Sequence, residues 1–377
     1  MGRNTASGAE LEEVLRSRVR PAAKALARAE GAGEGGQEPS VRCLACGHRC
    51  LVHPGRRGIC KVRFNQDGRL LVPGGYVSGL AIDPVEKKPF FHVLPGARAL
   101  SFGMLGCDLH CGYCQNWITS QALRDPRATA GIREITAEEL VEAGVRNRTP
   151  LVVSTYNEPL ITAEWAAEIF RRAVAAGMLC GFVSNGNGTS QVLEYLRPVT
   201  RLFKIDLKGF RKETYRELGG VLERVLETIQ AAHDTGFWVE VVTLVVPGFN
   251  DSEGELRGIA RFLAGVDRNL PWHVTAFHRD YKMTGRADTG IRELRKAARI
   301  GKEEGLRFVY AGNLPGRDGR MEDTVCPGCG TCLIRREGFH VLSNRIGADG
   351  SCPDCGESIP GLWTVSSDPP GFSERNP

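Results

Sequence analysis

Along this chain the spacing of apolar residues changes several times, and those changes divide it into parts. From residue 97 onward short apolar runs alternate with segments of three-to-four residue spacing. The runs at 99–105, 151–155, 179–183, 201–207, 238–246, 272–277 and 307–311 predict strands. Between them, helices are predicted over 137–148, where Thr136 and Glu139 form a capping box, and over 163–176, where Trp165, Ile169, Phe170, Ala173 and Val174 share a face. A third is predicted over 212–235. Strand and helix repeated about seven times predict parallel strands joined by right-handed crossovers, an α/β architecture with functional groups at the C-terminal strand ends.

Ahead of this body the pattern differs. Residues 1–40 open on apolar Leu11, Val14, Leu15 and Val19, are interrupted by Pro21 and close on GAGEGGQEPS. That predicts a frayed helix and a flexible linker. Alternation over 61–72 around Gln66, Asp67 and Gly68 predicts a hairpin, and the three prolines within 82–96 predict an extended connector. Behind the body, 333–342 reads as strand. The divisions expected are 1–40, a cysteine-rich module with connector at 41–96, the α/β body at 97–315, and a second cysteine-rich module with tail at 316–377.

Composition narrows the class. Of 377 residues 42% are hydrophobic, enough for a body of about 200 to 250 residues with accessory modules. The net charge of +5 does not by itself call for nucleic acid. Between Val41 and Arg98, however, ten Lys or Arg face three acids, a local excess of +7 suited to RNA, an acidic protein or plain solvent. No apolar run approaches the ~20 residues of a membrane span, and Glu10, Glu12 and Glu13 stand where a signal peptide would be apolar. A cytoplasmic protein without membrane contact is expected.

Thirteen cysteines are present, eleven of them in tight metal-type spacings, which favours a reducing compartment. Cys107, Cys111 and Cys114 form C-x3-C-x2-C within GCDLHCGYCQNW. Three thiolates so close can hold three corners of a cubane iron–sulfur cluster and leave the fourth iron open, whereas structural zinc takes four protein ligands. Cys43, Cys46, Cys50 and Cys60, with His48 and His53 among them, form C-x2-C-x3-C-x9-C, which suits zinc or a second iron–sulfur cluster. Cys326, Cys329, Cys352 and Cys355 make two C-P-x-C-G knuckles separated by 22 residues, a zinc-ribbon or rubredoxin-type pattern for which zinc is expected. Cys332 lacks the partner that a ferredoxin-like run would need, and Cys180 reads as a core residue.

The array with Tyr113 before its last cysteine resembles the radical S-adenosylmethionine (SAM) superfamily. The stretches VRCLACGHRC, IDPVEKKPFFHVLPG, YNEPLI, IDLK, VVPGFND and WHVTAFHRDYKM, with the terminal knuckles, resemble the AmmeMemoRadiSam radical SAM enzymes, relatives of the pyruvate formate-lyase activating enzymes. The resemblance runs from about Val41 to Trp363. It implies a partial (β/α)6-type parallel radical SAM barrel with small cysteine-rich metal modules at both ends, a [4Fe–4S] cluster on Cys107, Cys111 and Cys114, and SAM chelated at the open iron. Asn157 and Glu158 match the position that passes the methionyl ammonium. Ser184 and Asn185 match a ribose or carboxylate contact. Asp206 and Lys208, on one face of the fourth strand, match a D-x-K pattern beside the methionyl carboxylate, and residues 245–249 match the adenine side. His273, His278, Asp280, Tyr281 and Lys282 are expected near the substrate's approach, with Tyr281 or His278 as catalytic candidates.

The function expected is reductive cleavage of SAM to a 5′-deoxyadenosyl radical that abstracts hydrogen from a macromolecular or otherwise bulky substrate. Reduced flavodoxin or ferredoxin is the expected electron donor, and the family's gene association makes Memo-type and AMMECR-type proteins candidate partners. A glycyl-radical-enzyme activase is the second reading, although many activases insert their extra cysteines just after the central motif, whereas here they flank the body. A non-catalytic zinc-dependent nucleic-acid-binding protein is a third, opposed by the central motif itself.

Overall fold

Strands that are buried along nearly their whole length must be covered on both faces, and here helices supply one cover and the N-terminal connector the other. The computed structural model describes residues 8–31, 38–314 and 320–364; part of GAGEGGQEPS and the tail beyond Thr364 lie outside the described residues. Eight strands form one open sheet: β1 (Gly79–Pro84), β2 (Arg98–Gly103), β3 (Leu151–Ser154), β4 (Leu179–Ser184), β5 (Leu202–Asp206), β6 (Trp238–Val245), β7 (Trp272–Ala276) and β8 (Val309–Gly312). Their spatial order is 8-7-6-5-4-3-2-1. Strands β2 to β8 are parallel throughout, and β1 adds antiparallel to β2.

The crossovers carry α1 (Ala137–Arg146), α2 (Ala163–Ala175), α3 (Ser190–Leu196), α4 (Lys212–Leu218), α5 (Leu222–Asp234), α6 (Glu253–Val266) and α7 (Ile291–Glu303). The predicted capping box on Thr136 and Glu139 is present. Between sheet and helices an aromatic chain runs from Phe102 to Phe170, Phe182 and Phe203, with ring centroids 6.2, 5.2 and 5.8 Å apart. The other face is closed by the connector, whose Val85, Phe90 and Val93 pack on Ala99, Leu151, Val153 and Leu202.

Two departures from the sequence pattern have plain causes. Strand β1 overlaps the stretch read as connector at 82–84 and begins three residues before it: all six of its residues are half-buried, so it shows no alternation. Its Pro84 is tolerated because β1 is an edge strand. The helix predicted over 212–235 is two helices, broken at Gly219, which caps α4 in the left-handed conformation at φ 78°. A side chain at Gly219 would overlap the His110 ring, and the His110 amide donates to Leu218 O at 2.9 Å. The break is thus where the cysteine loop docks.

The segment expected to fray is instead built in. A helix over Gly8–Ser17 buries Leu11 and Leu15 completely, and Val19–Pro21 pairs antiparallel with Arg69–Pro73. The predicted hairpin forms between Phe64–Gln66 and Arg69–Pro73, turning through Asp67 and Gly68 at φ 52° and 70°. Ala27–Glu30, Ser40–Cys43 and Leu51–Val52 complete a small sheet beside it.

At the opposite end, a hairpin of Cys332–Glu337 and His340–Asn344 is tied to the connector by buried Arg336. Its guanidinium donates to Phe91 O at 2.7 Å and to Thr324 Oγ1 at 2.8 Å. Nearby, Glu240 near the start of β6 accepts from Phe91 N, His92 N and Trp238 Nε1 at 3.0 Å and from His273 Nε2 at 2.7 Å.

Gly219→Ala combines left-handed backbone strain with overpacking against His110, a destabilisation of about 2 to 4 kcal/mol. Urea unfolding of the variant and the parent under reducing conditions measures it. A change within about 0.5 kcal/mol, as for an ordinary surface substitution, would show that the helix break does not depend on glycine.

Candidate metal centre

The loop after β2 crosses the C-terminal ends of the parallel strands, where groups from several crossovers converge. It leaves β2 through Gly106 at φ 92°, where a side chain would meet Val62 at 2.8 Å and Cys60 O at 3.2 Å. Cys107, Cys111 and Cys114 follow, with Leu109 N donating to Cys107 Sγ at 3.4 Å and Ser120 Oγ 3.2 Å from Cys114 Sγ. They pack among Leu109, Tyr113, Val246, Phe249 and Phe277. Burial pushes all three thiols up, Cys111 to about 12.

Asp108, fully buried in the same loop, is the residue around which the Cys107 side is arranged. Its Oδ1 accepts from Asn185 Nδ2 and its Oδ2 from Asn187 Nδ2, both at 2.7 Å. Asn185 Nδ2 also lies 3.8 Å from Cys107 Sγ. Glu158 stands beside them, and both its oxygens are engaged: Oε1 accepts from Ser184 Oγ at 2.7 Å and Leu160 N at 3.1 Å, Oε2 from Asn185 N at 2.7 Å. Asn157 Oδ1 accepts from Met104 N at 3.0 Å. Asn157, Glu158, Ser184 and Asn185 are therefore gathered at the cysteine loop, but Glu158 and Asn157 spend these groups on the backbone and on Ser184.

On the Cys111 side, Asp206 lies between two lysines. Lys208 Nζ is 3.0 Å from Asp206 Oδ2, and Lys204 Nζ pairs with Oδ1. Burial alone would raise Asp206, but the two ammonium groups outweigh it and hold it at about 2. Tyr113 is 3% exposed, meets Phe249 edge-on at 5.7 Å, and its hydroxyl is buried with no partner. Asn187 Oδ1 is orphaned in the same way. The buried Tyr113 hydroxyl fits a site that a bound polar molecule completes, whereas Asn187 Oδ1 packs against Gly47.

Tyr281 sits at the rim, φ 50°, stacked on Trp117 at 5.0 Å and donating its hydroxyl to Asp125 Oδ2 at 2.8 Å. Lys282 N and Met283 N donate to Gly112 O at 2.9 and 3.0 Å, which ties this loop to the cysteine loop. His278 is exposed and stands apart from these groups. His273 is not at this end: it is buried against Glu240 at the start of its strand, a correction to its expected place. Residues the sequence reading passed over are Asp108, Asn187, Lys204 and Asp125. Lys204 was accessible, being two positions before Asp206 and so on the same face of the strand.

The two outer cysteine groups differ. Sulfurs of Cys326 and Cys355 lie 3.6 Å apart, and those of Cys329 and Cys352 3.7 Å. A tetrahedral ion with bonds of about 2.3 Å needs sulfurs about 3.8 Å apart. Among the described residues these four form the one group of three or more His, Cys, Asp or Glu whose ligand atoms all lie within 4.8 Å. Neither Cys107, Cys111 and Cys114 nor Cys43, Cys46, Cys50 and Cys60 meet that span. Of the latter, Cys43, Cys46 and Cys60 are buried and Cys50 is half-buried.

The model of the Radical SAM superfamily matches residues 103–263. An uncharacterised protein of Methanocaldococcus jannaschii is 39% identical over 322 residues, covering 85% of this chain and 95% of that protein. Among solved structures, a domain of a pyruvate-formate lyase-activating enzyme from Bacteroides vulgatus is similar at 18% identity, over 43% of this chain and 98% of that one, with a TM-score of 0.39. A radical SAM methyltransferase from Sphaerobacter thermophilus is similar at 14% identity, over 83% and 84%, with a TM-score of 0.47. Among the described residues no helix is long and apolar enough to cross a membrane.

Burial and then the charge of Asp108 push the Glu158 carboxyl up to about 8, against the pull of the Asn185, Ser184 and Leu160 donors. A folded pKa above the ordinary 4.5 makes this group's contribution to stability complete below pH 4.5 and lost as pH rises towards 8. The apoprotein should therefore lose stability between about pH 5 and 8.5, and Glu158→Gln should flatten that slope. Urea unfolding at several pH values in the presence of a reductant checks this; parallel slopes in the two proteins would show that Glu158 stays ionised.

Proposed function

The chain belongs to the Radical SAM superfamily, and on that footing we propose that it is an enzyme which cleaves SAM reductively and abstracts hydrogen from a bulky substrate. The observation that carries this reading is the loop of Cys107, Cys111 and Cys114 at the C-terminal end of β2, with the unpartnered Tyr113 hydroxyl buried beside it. When bound, a [4Fe–4S] cluster and SAM supply a 5′-deoxyadenosyl radical.

The work of the chain is to hold, orient and exclude. Cys107, Cys111 and Cys114 would occupy three corners of the cluster and leave one iron to a ligand from outside the chain. Asp108, clamped by Asn185 and Asn187, fixes the loop from which Cys107 reaches. Glu158 joins the ends of β3 and β4 by accepting from Ser184 and Asn185, and so sets their position rather than meeting the methionyl ammonium directly. Asp206 restrains Lys204 and Lys208, whose ammonium groups would face the methionyl carboxylate. Tyr113, Val246 and Phe249 would border the adenine and keep water and stray hydrogen donors away.

At the rim, Trp117 stacks on Tyr281 with Arg127 near both rings at 5.9 and 5.7 Å and Lys282 at 4.9 Å from Tyr281. An aromatic and cationic surface beside the opening supports a substrate larger than a metabolite, with Tyr281 among the groups that meet it. The closer likeness to AmmeMemoRadiSam enzymes rests on VRCLACGHRC, YNEPLI and the knuckles, and reduced flavodoxin or ferredoxin is the donor class proposed. The terminal cysteine set is proposed to hold zinc, from its tetrahedral span.

Reconstituted anaerobically with iron and sulfide and given SAM and dithionite, the protein should form 5′-deoxyadenosine, and Cys111→Ala should form none above the enzyme-free background. Turnover that survives in Cys111→Ala would end this assignment. Zinc should be found at about one atom per chain, and Cys352→Ser should lose it together with several kcal/mol of stability. Iron at that site in protein expressed with both metals available would replace zinc in the proposal.

A further inference from the structure

We propose that Cys43, Cys46, Cys50 and Cys60 hold a second iron–sulfur cluster rather than zinc, and that it passes single electrons to the centre on Cys107, Cys111 and Cys114. The first half stands on the N-terminal module alone. The second rests on the function proposed above.

The metal follows from span. Two four-cysteine groups occur in one chain, and the structure closes only the C-terminal one to the size of a single ion. Among the four N-terminal cysteines no three ligand atoms lie within 4.8 Å of one another, although three of these residues are buried, a wider set than the one that closes on a single ion. A polynuclear core suits that span, because iron atoms and sulfides stand between its corner thiolates. The spacing agrees: nine residues between Cys50 and Cys60 do not make the second tight knuckle that closes around zinc.

The surroundings are those of a buried anionic group. Ile59 N donates to Cys50 Sγ at 3.5 Å. The Arg63 guanidinium is 1% exposed and acts electrostatically on both Cys43 and Cys60. Its Nε donates to Ile161 O at 2.8 Å and its Nη2 pairs with Glu164, but its Nη1 has no partner. A buried N–H left over on the arginine that acts on Cys43 and Cys60 is accounted for by sulfur of a bound cluster.

The route follows from contact between the two cysteine loops. Cys60 O lies 3.2 Å from where a side chain on Gly106 would begin, and Gly106 precedes Cys107. From the other side, Gly47 N donates to Asn187 O at 2.9 Å and His48 Nε2 is 3.1 Å from Asp108 O, so Cys46 and Cys107 are joined through two neighbouring residues. Electron transfer falls steeply with separation, and these contacts set the two loops side by side. In the proposed step the N-terminal cluster takes one electron from a low-potential one-electron donor, going from [4Fe–4S]2+ to [4Fe–4S]+, and returns to 2+ as the central cluster gains that electron.

The test uses the full chain, purified anaerobically from iron-replete cells. A Cys107→Ala, Cys111→Ala, Cys114→Ala variant should retain about four iron and four sulfide per chain and a paramagnetic signal on reduction. Zinc in place of that iron, with no sulfide, overturns the cluster. Cys50→Ser, checked for folding by its circular dichroism and melting, should lose about that iron and slow reduction of the central cluster by a reduced donor protein by on the order of tenfold, read by rapid-freeze paramagnetic resonance. An unchanged rate of central reduction in Cys50→Ser overturns the relay. Should the parent protein show no central cluster while the triple variant keeps its iron, the proposed radical chemistry fails and the N-terminal cluster stands.

Discussion

A buried carboxylate with no lysine or arginine beside it is costly unless its oxygens are hydrogen-bonded, and each oxygen of Asp108 accepts from a side-chain amide. It belongs to the cysteine loop, yet its donors, Asn185 and Asn187, belong to the turn after β4. The loop therefore cannot shift without abandoning a buried charge. The same turn is braced by Glu158 after β3, through Ser184 Oγ and the Asn185 amide. Three strand ends are fastened together by two acids and two amides, and the thiols take their position from that fastening.

The cost of this arrangement is electrostatic. Burial raises Glu158 first and the neighbouring Asp108 raises it further, and no lysine or arginine is paired with either among the described residues. On the Cys111 side the balance is reversed, with two lysines on one acid. The site thus gathers two carboxyl groups by Cys107 and two lysines by Cys111. Stability is built at the other end of the strands, where Glu240, His273 and Arg336 join connector, sheet and C-terminal hairpin. That separation sets the unpartnered Tyr113 hydroxyl and the neighbouring acids apart from the groups that tie the fold together.

Much of this could be read in the sequence, for physical reasons. The parallel strands were legible because burial on both faces leaves uninterrupted apolar runs, and the cysteines because ligand spacing is short range. What escaped was long range. Nothing in CDLHC says that Asp108 meets residues beyond 180, and nothing in YNEP says that Glu158 points back to the β4 turn. The broken helix at Gly219 needed the position of His110, and the docked N-terminal helix needed partners that lie beyond a Gly-rich segment. Alternation alone would have found Lys204.

The two outer cysteine groups show where motif reading stops. Both offer four thiols, yet one closes to the span of a single ion and the other does not. In the C-terminal group each knuckle contributes two sulfurs from one tight turn, and the hairpin over Cys332–Glu337 and His340–Asn344 brings the turns face to face. In the N-terminal group Cys43 ends a strand, Cys46 sits in the turn beyond it, and Cys60 is placed by a loop that is pinned to the central cysteine loop through Gly106. The backbone that carries Cys60 is thus shared with the central loop. What a cysteine motif binds is therefore set by the backbone that each cysteine answers to, and in this module one of those backbones belongs to the neighbouring centre.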